Sequence, residues 1–287
     1  MDSPPVPLLK ESSVVTVEFP EKDESMGEVL VAFLGPDCQD PVSATAIEVA
    51  SMYLAGSSVS VLESSMVEIE NPWASSARIY TEDRPNTVLW IELTAVPTEK
   101  LGPAEEKLGE ILRKTVHEPL NFAYLTDLIR RNKLQTQFYT ETSGYSFSAR
   151  VVIDHVFGKR DGSQLRENLE SLKVYDELEK WDDKTWRDFM RKWLVDNHHV
   201  SILGRPSAKM VKKIEEDEKQ RVADRVKRLG AEGLKKLQDK LDAAKAENDK
   251  EIPSAIVGQF PVPNVDSIHF IKTTTARAGL ALKDGKL

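Results

Sequence analysis

The sequence predicts an α+β fold: an antiparallel sheet with helices packed on one face, followed by an α-helical hairpin. Three observations lead there. Strand-like segments come in neighbouring pairs, while helical segments come in runs, which is the order of an α+β protein. The third is charge. Residues 205–250 hold 14 Lys/Arg and 10 Asp/Glu, a net +4, and the rest of the chain is −12.

The elements follow in order. Residues 14–19 are β-branched (Val14, Val15, Thr16, Val17) and stop at Pro20. Residues 27–34 form a second strand, closed by Gly35-Pro36, with the acidic turn 21–25 between the two. After Pro41 the period becomes helical through Ile47, Met52 and Leu54 and ends at Gly56. Ser57-Ser58-Val59-Ser60 opens another helix, over 61–67. Residues 77–80 and 87–93 read as an antiparallel pair across 83–86. Helices follow over 104–116 and 122–139, the second with Asn121 as its N-cap. Further helices are expected over 145–157, 163–169 and 185–194, and a last strand over 200–203.

Residues 207–247 read as two helices. Ile214, Val222, Val226 and Leu229 carry one apolar stripe, and Leu234, Leu237, Leu241 and Ala244 the other. Gly230 and Gly233 frame the break, and arms joined this tightly fold back as a hairpin. Beyond Pro253 the run 260–263 reads as extended and 267–271 as a strand. The expected organisation is thus an α+β domain over 14–205, a helical hairpin over 206–250 and an extended tail over 251–287, leading towards a further domain.

Composition narrows the function. The chain has 287 residues, 40% hydrophobic and 30% charged, and a net charge of −8. An acidic balance argues against general nucleic-acid binding, which needs a positive surface. No apolar run is long enough to span a membrane, and the N-terminus lacks the cationic and apolar segments of a secretory signal. Cytosol is the default location, with mitochondria as the alternative. The single cysteine, Cys38, rules out an intrachain disulfide.

No catalytic, cofactor-binding or metal-binding residue is assigned. His117 is followed by Glu118, but position 121 is Asn, so H-E-x-x-H fails. His155, His198, His199 and His269 do not start H-x-x-E-H either. Adjacent His198 and His199 on a strand point to opposite faces. Gly56-Ser57-Ser58-Val59-Ser60 lacks the second glycine of a nucleophile elbow, and reads as a helix cap followed by the next helix start. The turn 158–163 resembles an anion-binding loop, but a glycine-framed loop with an N-capping Ser163 explains it equally well. Trp181, Trp186 and Trp193 read as core anchors. If the chain were a complete enzyme, Asp37, Cys38 and His117 would be the only residues to nominate.

Several segments resemble one family. Residues 19–29 (Phe-Pro-Glu-Lys-Asp-Glu-Ser-Met-Gly-Glu-Val) and Phe33-Leu34-Gly35-Pro36 are similar to the opening of the second domain of pitrilysin-type inverted zinc peptidases, nearest the presequence-protease branch. Residues 53–62, the stretch from 157 through Tyr175 and Trp186, and residues 200–207 continue the likeness over about 14–275. The helical hairpin resembles the linker between the two halves of those enzymes. The resemblance implies a clamshell of four related domains around an unfolded peptide. It places zinc on H-x-x-E-H in the first domain, which this sequence does not contain. This chain is then expected to be a non-catalytic part of the peptide chamber, without metal of its own. Its partners would be extended peptides and a chain carrying the catalytic domain. The alternative is a stand-alone pseudoenzyme or interaction module that docks an acidic partner through the basic hairpin.

Overall fold

The computed structural model describes residues 7–259 and 266. It divides into two compact units, residues 1–219 and 220–287.

The first unit is built on a five-stranded mixed sheet in the order β1-β5-β2-β4-β3. The strands are β1 (Ser13–Phe19), β2 (Met26–Asp37), β3 (Ser76–Glu82), β4 (Asn86–Pro97) and β5 (His199–Pro206). Neighbours pair antiparallel except β1 and β5, which are parallel, with Ser13 opposite Val200 and Phe19 opposite Pro206. That parallel edge departs from the antiparallel sheet read from sequence. It arises because the last strand of the domain inserts between the first two.

Side chains alternate across a strand. Val29, Val31 and Phe33 of β2 and Leu89, Ile91 and Leu93 of β4 are buried and belong to one core. Helices α1 (Pro41–Ala55), α2 (Leu101–His117) and α7 (Asp183–Leu194) supply the other wall of that core. In α2 the buried set is Leu101, Ala104, Leu108, Ile111, Leu112 and Val116, one face of a 3.6-residue period. In α7 it is Trp186, Met190 and Leu194, spaced by four. Trp186 is fully buried, and the rings of Trp181 and Phe189 lean on it at 4.9 and 6.3 Å. Trp193 packs against the same core, so all three expected anchors serve as such.

Pro41 and Asn121 mark helix starts as the sequence suggested. Asp40 caps α1, accepting from the Ser43 N–H at 3.0 Å, and Pro41 opens the helix. Asn121 caps α3 (Phe122–Thr142) by accepting from the Tyr124 N–H at 3.2 Å. The expected helix over 61–67 ends as a π-helical turn, Glu63–Val67. Helices α4 (Tyr145–Phe157) and α5 (Leu165–Leu169) follow. Helix α6 (Ser171–Leu178) was not expected; it buries Val174, Tyr175 and Leu178 while packing on α1 and α3.

The long helix α8 (Ala208–Asn248) crosses the division between the units. In the second unit Gly230 interrupts it with φ 63° and ψ −178°, separating 208–229 from 231–248. Gly233 is helical, so the break is at one glycine and not framed by two; of these two, Gly230 alone adopts the left-handed φ that a side chain disfavours. The expected segments 260–263 and 267–271 lie outside the described residues.

Candidate functional site

The residues that could carry chemistry do not converge. His117 ends α2, His155 lies on α4, and both are exposed. His198 precedes β5 and His199 begins it. His199 packs on Phe33 and lies 3.3 Å from Ser12 Oγ through Nδ1 and 3.7 Å from Glu105 Oε1 through Nε2. The Glu105 carboxylate also accepts from Ser201 Oγ at 2.7 Å. This is a polar seam joining β5 to α2. Zinc needs three or four ligands within about 2.0–2.3 Å of one point, typically imidazole, thiolate or carboxylate. Among the described residues no three His, Cys, Asp or Glu come together in that way. His269 lies outside them.

Asp37 and Cys38 sit at the end of β2. Asp37 accepts from the Gln39 N–H at 2.9 Å, which shapes the turn into α1. Cys38 is buried, and that burial pushes its thiol pKa up, opposite to what a nucleophile needs. Residues 56–60 form a cap. Ser60 Oγ accepts from the N–H groups of Gly56 and Ser57 at 3.1 and 2.9 Å and donates to the Met52 carbonyl at 3.1 Å. Its hydroxyl is committed to closing α1. The 158–163 turn also closes on itself. Asp161 Oδ1 accepts from the Ser163 N–H at 3.0 Å, and the Gly162 N–H donates to the Lys159 carbonyl at 3.0 Å.

What the fold does present is a sheet surface. Opposite the buried face lie Leu30, Ala32 and Leu34 of β2, Val88 and Trp90 of β4, and Val200 and Ile202 of β5, all half-buried. Towards β3 this face carries cross-strand pairs in register. Ser76 meets Thr94 at 2.6 Å, Arg78 meets Glu92 at 3.3 Å, and the Tyr80 and Trp90 rings stack at 6.4 Å. Towards β1 it is aliphatic, extended by Val15 beside Ile202 and Val17 beside Gly204.

The two sheet edges differ. On β3 the Ala77 N–H donates to Glu63 Oε1 at 3.3 Å, so the π-helical turn covers part of that edge. Strand β1 has seven residues, six of them exposed, including Val14, Val15 and Val17. An uncovered strand edge offers a row of backbone donors and acceptors to an extended segment. Sequence reasoning identified the strand but not its place at an edge, since its partner β5 lies nearly 190 residues later.

Comparison with known proteins places these features. No family model matches the chain. Over 276 residues it is 31% identical to an uncharacterised protein of Schizosaccharomyces pombe, and over 260 residues 30% identical to one of Saccharomyces cerevisiae. These matches cover 95% and 90% of this chain but 26% and 25% of theirs, so the chain spans about a quarter of the length of the curated relatives it matches. Among solved structures, the inactive peptidase domain of a candidate zinc protease from Bordetella parapertussis aligns with a TM-score of 0.53 and 13% identity. That alignment covers 67% of this chain and 96% of that one. The periplasmic protease PqqL of Escherichia coli aligns with a TM-score of 0.52 and 13% identity, over 69% of this chain and 21% of that one. A protease from Helicobacter pylori gives 0.51 and 16%, over 72% and 49%. The chain therefore has the pitrilysin-type peptidase-like fold.

Proposed function

We propose that this chain is the non-catalytic, peptide-holding portion of a pitrilysin-type zinc metallopeptidase. It forms a wall of the chamber in which a separate catalytic domain cleaves unfolded peptides. The single observation that carries this reading is the edge of β1, left uncovered among the described residues and continuous with the aliphatic face made by Val15, Ile202 and Leu30. An extended peptide adds to such an edge through backbone hydrogen bonds, and alternate side chains rest on the adjoining face. The likeness to an inactive peptidase domain supports it, as does the scatter of the described histidines. Zinc belongs, on this reading, to the catalytic portion.

The test is hydrogen–deuterium exchange of the chain with and without a saturating unstructured peptide. Slowed exchange over residues 13–19, with residues 76–82 unchanged, is the expected result. Protection confined elsewhere, or none at saturation, contradicts it.

A further inference from the structure

On the helical side of the first unit, α1, α3, α4, α6 and the β3–β4 turn enclose a cavity of about 820 Å³. Ligand sites typically span roughly 300–1,000 Å³. This cavity is separate from the sheet face and from β1.

One side chain in it has no structural role. Glu48 is the only charged residue of α1, set between buried Ile47 and Val49. Its side chain makes no hydrogen bond or ion pair among the described residues. Glu48 is solvent-exposed, its side chain lining the open cavity. Desolvation by the neighbouring protein raises its pKa above the ordinary glutamate value, with Arg150 pulling it down and Asp83 pushing it up. An unpaired carboxylate on a cavity wall is available to a cationic ligand as the acceptor of a charge-assisted hydrogen bond.

The rest of the lining indicates what kind of partner fits. Among the described residues of the lining, Asp83 from the β3–β4 turn and Glu48 together outnumber the one cation, Arg150. The mouth is aromatic: Phe138 and Tyr139 of α3 and Tyr145 and Phe147 of α4 line it and are substantially exposed, Tyr145 by 78%. Aromatic faces attract cations and cover apolar bodies. Tyr175 is held by Thr136 at 3.0 Å, and Cys38 is a buried thiol with a raised pKa, so neither adds charge at neutral pH. An anion would meet two carboxylates. A neutral ligand would leave Glu48 as it is.

We propose that this cavity binds a small organic cation, an amine or guanidinium carried on an aromatic or aliphatic body, with Glu48 as its counter-charge. The assignment is independent of the peptide-holding reading.

The experiment titrates the full chain at neutral pH with three probes that share one ring: benzylamine, benzyl alcohol and benzoate. Ligand-observed NMR and calorimetry report saturation. Benzylamine is expected to saturate one site, with the alcohol and benzoate weaker by about tenfold or more, the scale of one charge-assisted hydrogen bond. In Glu48→Gln the preference for the amine should disappear, with the circular dichroism spectrum unchanged. If that variant fails to fold, Asp83→Asn serves, with a smaller loss of the same preference. Equal binding of the three probes, no saturable binding of benzylamine, or an unchanged preference in the folded Glu48→Gln variant overturns the assignment.

Discussion

A Cβ on Gly27 would lie 2.3 Å from the carbonyl oxygen of Gly204. The two glycines belong to neighbouring strands, β2 and β5, where the β2–β4 register shifts between Gly27 and Val29. Backbone meets backbone here, so nothing flexible can give way. Gly27→Ala should lower unfolding free energy by about 1–3 kcal/mol, the range for overpacking. Gly102 in the first turn of α2 has nothing within 4 Å of such a Cβ. There, Gly102→Ala should be neutral or stabilise by about 0.4–1 kcal/mol through the unfolded chain. Urea denaturation of both variants measures the contrast. Equal effects would mean that the strand contact at Gly27 is not as tight as described.

Trp186 is the most deeply placed large side chain of α7, wedged against Trp181 and Phe189. Among the described residues its indole N–H has no partner, so its contribution is packing. Trp186→Ala should cost about 3–5 kcal/mol, as large-to-small changes of buried aromatics do. A loss below about 1 kcal/mol, outside that range, would show that α7 does not anchor the core.

Glu48 makes a pH signature. Its folded pKa is raised first by burial, lowered by Arg150 and raised again by Asp83, with Tyr175 the other titratable group in its field. Between the ordinary glutamate value and the raised folded one, the folded state holds more protons than the unfolded state. Stability therefore falls as pH rises through that window. Glu48→Gln removes this term. Melting temperature followed against pH should decline more steeply for the unsubstituted chain than for the variant within the window. Parallel curves would show that the cavity does not perturb Glu48.

The first unit closes its sheet before the long helix begins. Its last strand ends at Pro206, and the Ser207 N–H donates to the Phe19 carbonyl at 2.9 Å. A chain ending at residue 219 should therefore keep one cooperative thermal transition at nearly the parent midpoint. A broad, non-cooperative melt would show that residues beyond 219 are needed for the core.

Much of this was legible in the sequence for local reasons. The alternation of β2, the four-residue spacing of Trp186, Met190 and Leu194, and the caps at Asn121 and Gly56 are all signals within one turn or strand. Helix α6 was not legible. Its eight residues form two turns, too short for helical period to stand out, and packing on α1 and α3 stabilises it. The parallel pairing of β1 with β5 was not legible either, because nothing local specifies a partner so distant in the chain. The cavity gathers residues from Cys38 to Tyr175. One signal was available for it: a lone glutamate in the otherwise uncharged stretch 41–55.

The central claim is that this chain holds peptides without cutting them. The direct measurement incubates the purified chain, after dialysis, with an unfolded peptide, and follows peptide mass, bound peptide and zinc content together. Expected are substoichiometric zinc, saturable binding and intact peptide, unaffected by chelator. One equivalent of tightly held zinc, with cleavage abolished by chelation and restored by zinc, would contradict it.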